Sequence, residues 1–125
     1  MATRRFPIRF TGLSRAMIAL GLSPSRSWVE VGDDLLRVRM SWAFSLDAPL
    51  VNIRDARPDT GRVGGWGVHG WRGRWLVNGS SSGLVRIDLS PPVRGRMGPL
   101  PIGIRQLRVS VEDPDGLVAA LTTRR

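Results

Sequence analysis

The longest regular pattern in the chain is an alternation. Leu36, Val38, Met40, Trp42, Phe44 and Leu46 occupy consecutive even positions, with Arg37, Arg39, Ser41, Ala43 and Ser45 between them. A period of two sends successive side chains to opposite faces, so the run predicts β-structure with one buried face and one wet face. It exceeds the usual strand of roughly 5–6 residues, which predicts a bend or turn near Ser41. Shorter alternations predict further strands. Phe6, Ile8 and Phe10 alternate with Pro7 and Arg9, and Pro7 keeps that strand near an edge. Val29 and Val31 alternate with Trp28 and Glu30, and Gly32-Asp33-Asp34 follows as a tight turn. After Pro49, Val51 and Ile53 are expected inward and Asn52 and Arg54 outward. Arg57 to Gly61 reads as an exposed turn, and Leu107, Val109 and Val111 mark a last strand.

Two segments read as helices. Ser14 as N-cap and Gly21 as the residue beyond the end frame a short helix that buries Met17, Ile18 and Leu20. Near the C-terminus, Asp113 is an N-cap, Pro114 takes the first helical position, and Asp115 complements the positive end of the dipole. Leu117, Val118 and Leu121 then form an apolar stripe, with Arg124 and Arg125 at the negative end.

Between these elements lie two composition shifts. Gly64 to Leu89 holds three of the five Trp, the only His and seven of the fifteen Gly. Within it, Arg74–Val77 and Leu84–Leu89 are β-rich runs separated by six Asn, Gly and Ser residues, which predicts a hairpin. Ser90 to Gly103 carries four prolines and three glycines and is expected to be a loop outside the central sheet.

Composition narrows the classes. The 125 residues fit one domain, taken as residues 27–125, with residues 1–26 an extension of strand and short helix packed on it. The absence of Cys excludes disulfides and thiolate metal sites. No apolar run approaches the roughly 20 residues of a membrane span. The apolar stretch Ala16–Leu22 is short for a signal peptide and no A-x-A site follows, so a cytoplasmic location is expected. The net charge is +9, and all 19 basic residues are Arg. Guanidinium is always charged and suits bidentate carboxylate or phosphate contacts, so the chain is expected to attract polyanions.

Candidate chemistry is sparse. Gly65-Trp66-Gly67-Val68-His69-Gly70 fits G-x-G-x-x-G, yet Trp71-Arg72-Gly73-Arg74-Trp75 follows where a dinucleotide site needs a helix. One His, no Cys and scattered carboxylates offer no metal cluster, no catalytic triad and no acid/base pair. No catalytic residue, metal ligand or cofactor is therefore expected. Trp71, Arg72, Arg74 and Trp75 form a candidate aromatic and basic patch, suited to a protein partner or to nucleic acid. Parity puts Trp66, Trp71 and Trp75 on more than one strand face, so at least one is expected to be exposed.

The segments Ser27-Trp-Val-Glu-Val, Leu36-Arg-Val-Arg-Met-Ser-Trp, Trp66 to Asn78 and Val109-Ser-Val-Glu-Asp-Pro-Asp resemble a family of small bacterial pleckstrin-homology-like (PH-like) domains over roughly residues 27 to 123. The resemblance implies a barrel of about seven antiparallel strands in two near-orthogonal sheets, capped by the C-terminal helix. It also implies a testable anion site. Phosphoinositide-binding PH domains carry a basic residue on the first strand and Lys/Arg-x-Arg on the second, positions that Arg26 and Arg37-Val38-Arg39 match here. The turn between them, Gly32-Asp33-Asp34, is short and acidic, unlike a phosphate loop. Arg94 and Arg96 extend this candidate lipid-binding set. The expected function is a non-enzymatic interaction or scaffold module whose partner is a protein or a second copy of itself. An anionic membrane surface is the alternative, and nucleic acid the third.

Overall fold

The alternation that begins at Leu36 is two strands joined by a tight turn. β3 (Leu35–Met40) and β4 (Phe44–Pro49) pair antiparallel, with Met40 opposite Phe44 and Val38 opposite Leu46. Ser41 takes a positive φ of 47°, and the Ala43 N–H closes the turn on the Met40 carbonyl. The reversal breaks the two-residue period, burying Ala43, which the alternation places on the wet face. Trp42, expected inward, sits at the tip and is 62% exposed.

Residues 3–10, 26–61 and 67–122 are described by this computed structural model. The predicted helix at Ser14–Gly21, Trp66, and the terminal Arg124 and Arg125 lie outside them. β1 (Arg4–Pro7) and β2 (Ser27–Val31) precede β3; β5 (Ile53–Pro58), β6 (Gly67–Trp71), β7 (Arg74–Asn78), β8 (Leu84–Met97), β9 (Leu100–Ser110) and helix α1 (Pro114–Thr122) follow β4. The expected mainly β class holds, but the architecture differs from the two-sheet barrel of about seven antiparallel strands. Among the described residues, nine strands form one connected, open sheet in the order β1-β2-β3-β4-β8-β9-β7-β6, with β5 pairing β8 beside it. One of its pairs, β7 with β9, is parallel.

That pair also corrects the hairpin predicted across Asn78–Gly83. β9 lies between β7 and β8, antiparallel to β8 and parallel to β7. The polar loop therefore steps over a strand instead of joining neighbours. It is held by Ser110 at the end of β9, whose Oγ accepts the Gly79 N–H and donates to the Arg9 carbonyl. Isolated bridges from Ile8 to Val111 and from Phe10 to Gly79 draw the N-terminal strand to the same seam. The true hairpin is β6–β7, where Arg72 and Gly73 turn at φ of 53° and 84°. Two successive positive φ values make the two-residue turn that fits strand twist.

Ser90 to Gly103 is sheet rather than loop. β8 runs on to Met97, turns at Gly98–Pro99, and returns as β9. The prolines are accommodated because none removes a needed ladder bond. Pro91 and Pro92 fall in the irregularity between Asp88 and Val93, and Pro101 lies where β9 has no second neighbour among the described residues. The bulge divides β8 into two halves. The first pairs β5, from Ile53–Leu89 to Pro58–Val85, and the second pairs β4, from Phe44–Met97 to Leu46–Gly95. Two smaller expectations also change. Leu50–Asn52 is a 3-10 turn that leaves Val51 80% exposed and buries Leu50 instead. Arg57 and Pro58 end β5 rather than forming a turn.

The core lies on the inner face of the sheet. Val29, Leu36, Val38, Met40, Phe44, Leu46, Val77, Ile87 and Leu107 are buried there, and α1 packs on β5 and β8. Asp113 caps α1 as expected, its Oδ1 accepting the Gly116 N–H at 3.0 Å. Leu117 and Leu121 are buried, each contributing about 1.5–3 kcal/mol of apolar transfer.

Candidate functional site

Cross-strand register decides which arginines meet. On the outer face of β6, β7, β9 and β8, Trp71 stands opposite Arg74, Arg74 opposite Gln106, and Gln106 opposite Asp88. Two residues along, on the same face, His69 faces Leu76, Leu76 faces Arg108, Arg108 faces Arg86, and Arg86 faces Arg57 on β5. The two rows line two adjoining clefts that share Arg74 and Gln106. One, of about 480 Å³, is lined by His69, Trp71, Arg74, Gln106 and Arg108 among others. The other, of about 380 Å³, adds Arg86, Asp88, Ser90 and Arg105 beside the β8 bulge.

Three of these arginines are neutralised. Arg86 pairs with Asp88 at 3.1 Å, Arg57 with Asp55 at 2.8 Å, and Arg108 with Asp59. Arg72, Arg74 and Arg105 have no carboxylate partner among the described residues, although the Arg105 Nε–H donates to the Arg72 carbonyl at 3.0 Å. Trp71 is 74% exposed beside them, with the Arg72 guanidinium 5.6 Å from its ring. The predicted patch thus assembles at the β6–β7 turn, except for Trp75. That side chain faces inward opposite Gly70, is 9% exposed, and donates its indole N–H to the Gly103 carbonyl. Arg105 and Gln106 enter the site through the parallel β7–β9 pair, which no local motif announces. G-x-G-x-x-G opens no helix here: Gly67 to Trp71 is a strand.

The second predicted set divides as well. Arg39 reaches Asp47 at 2.7 Å and also donates to the Val38 and Leu46 carbonyls, while Arg37 lies 4.0 Å from the same carboxylate. Arg5 and Arg39 flank the Trp28 ring at 4.3 and 5.7 Å, and Arg5 pairs with Glu30. The two positions that match the PH-like motif on β3 are therefore held by their own sheet. Arg96 lies on this face, opposite Ser45, with Arg94 two residues before it on β8. Arg26 immediately precedes β2, and its carbonyl accepts the Ser41 N–H. None of these three has a carboxylate partner among the described residues. Among the described residues there is also no group of three or more His, Cys, Asp or Glu able to hold a metal ion, and no helix long and apolar enough to cross a membrane.

The Asp59 carboxyl has a lowered pKa. Burial pushes it up, but the Arg108 hydrogen bond, the Gly61 N–H at 2.9 Å and the charges of Arg108 and Arg86 outweigh this and leave it lowered. A carboxylate pKa lowered by folding stabilises the fold above its unfolded value of about 4 and loses that contribution as pH falls through the folded value. Asp59→Asn is therefore expected to cost about 1–2 kcal/mol at neutral pH. The cost should shrink below about pH 4. Urea unfolding of both proteins across that range tests it; a pH-independent difference would remove charge as the cause. No family model, curated protein or solved structure matches this chain.

Proposed function

We propose that the protein is a non-enzymatic, cytoplasmic interaction module that holds an acidic segment of a protein partner on the outer face of β6, β7, β9 and β8. One observation carries the reading: an exposed Trp71 stands among Arg72, Arg74 and Arg105, whose charges no described carboxylate neutralises, over two adjoining clefts. Trp and Arg are the side chains that most often dominate binding energy at protein interfaces. Mixed charge favours a protein over a nucleic acid. Asp88 interrupts the basic track, and one exposed ring is a poor match for successive stacked bases. A PH-like ancestry belongs to the same proposal, supported by the strand-rich body that ends in a C-terminal helix.

The test is photo-crosslinking in cells that natively make the protein, with p-benzoylphenylalanine replacing Trp71. A protease-sensitive, nuclease-resistant adduct that Arg74→Glu reduces about tenfold or more is expected, reflecting the cost of reversing a charge at an interface. A nuclease-sensitive adduct would reassign the groove to nucleic acid. An adduct indifferent to Arg74→Glu would overturn the reading.

A further inference from the structure

Two turns meet at one end of the molecule, and each projects an apolar side chain. Trp42 is 62% exposed on the β3–β4 turn, and Leu100 is 53% exposed where β9 leaves the β8–β9 turn. The turns are joined by the Gly98 N–H to the Ala43 carbonyl at 2.8 Å and by the pairing of Phe44 with Met97, itself opposite Leu100. A side-chain carbon on Gly98 would lie 3.9 Å from the Trp42 ring, so the indole rests beside the second turn. Two linked tips present one apolar projection, not two independent exposed residues.

The surrounding charge is of one sign. Between Leu35 and Leu46, and between Leu89 and Val111, the sequence contains no Asp or Glu. Arg26 and Arg96 flank the tips without a described carboxylate partner, whereas Arg37 and Arg39 are drawn away to Asp47. We propose that this end docks on an anionic membrane surface, with Trp42 and Leu100 entering the headgroup region and Arg26 and Arg96 contacting lipid phosphates. Trp prefers that depth because its ring is apolar and its N–H polar. Arginine stems lie along the apolar boundary while their heads stay with the phosphates. A protein interface of this size would ordinarily mix charges of both signs, and here there is no carboxylate to clash with an anionic plane. The site is separate from the Trp71 groove and does not depend on what binds there.

The experiment is co-sedimentation of the full chain with phosphatidylcholine vesicles, with and without phosphatidylglycerol, near physiological salt. Trp42→Ala/Leu100→Ser and Arg26→Gln/Arg96→Gln are compared with Arg4→Gln/Arg54→Gln, which removes the same charge elsewhere. Each tip variant is expected to lower partitioning onto anionic vesicles by at least about tenfold, and the control by less than about twofold. All four substituted tip residues are exposed, and unchanged far-UV spectra will confirm folding. Equal losses in the control would reduce the effect to bulk charge and overturn the proposal. So would vesicle binding that survives loss of Trp42 and Leu100, or no binding at all. Sedimentation velocity showing a wild-type dimer abolished by Trp42→Ala/Leu100→Ser would assign the patch to a second copy instead.

Discussion

Gly70→Val is expected to cost about 3 kcal/mol of folding stability, at the upper end for an overpacked site, although valine is a favoured strand residue. The reason is a close approach. A Cβ on Gly70 would fall 2.1 to 2.5 Å from three carbons of the Trp75 indole, which lies across the glycine from the neighbouring strand. The indole has little room to retreat, because it is 9% exposed and its N–H is fixed on the Gly103 carbonyl at 3.2 Å. Moving it would leave that buried N–H unpaired and open the core beneath. Denaturant unfolding of Gly70→Val, Trp75→Leu and the double variant separates the causes. The clash account requires Gly70→Val to be nearly silent in the Trp75→Leu background. Equal costs in both backgrounds would place the penalty elsewhere.

Gly70 shows how much of this fold was legible from local pattern. Strand periodicity correctly placed Val29, Val38 and Leu46 inward, and the cap at Asp113 was written in three consecutive residues. Those signals act within a few residues of chain. Sheet order does not. β9 inserts between β7 and β8, setting residues about 30 positions apart, such as Trp75 and Leu107, side by side, and a contact that distant in sequence leaves no local signal. The proline-rich segment misled for a related reason. A proline forbids only the hydrogen bond it would donate, and whether a neighbour needed that bond is a tertiary fact.

The candidate sites follow the same division. Trp71, Arg72 and Arg74 are contiguous around one turn, so the sequence could bring them together. Arg105 and Gln106 required the parallel pair. The resemblance to phosphoinositide-binding PH domains singles out Arg37 and Arg39, and Asp47, directly opposite Arg37, lies within ion-pair reach of both. Trp42 was hidden by its own alternation, since a turn at Ser41 breaks the phase while the even-numbered apolar residues continue through it. What remains after carboxylate pairing is informative. Two exposed tryptophans, Trp42 and Trp71, each lie near arginines that lack a described counter-charge. Binding surfaces are expected where charge is left unneutralised beside apolar area.

Phe44→Ala is expected to be the most damaging single truncation at the Trp42 end, costing about 3–5 kcal/mol. Phe44 is 1% exposed and lies opposite both Met40 and Met97, so one ring fills the space where β3, β4 and β8 converge. Its loss should also be unevenly felt. The β8–β9 arm is held to β4 by three register pairs, Phe44–Met97, Ser45–Arg96 and Leu46–Gly95, while β7 accompanies β9 only from Gln106 onward. A cavity at Phe44 weakens the anchor on the one side where, among the described residues, the arm has a strand beside it. Native-state hydrogen exchange should then show amides of residues 93–104 losing more protection than the global change requires, while Val85, Ile87 and Val109 lose only the global amount. Leu107→Ala, equally buried but under the paired half of β9, is the comparison and should lower protection uniformly. A uniform loss in Phe44→Ala would mean that the arm unfolds only with the whole sheet. A local loss would loosen the two turns that carry Trp42 and Leu100, and Phe44→Ala should then weaken vesicle partitioning without touching an exposed residue.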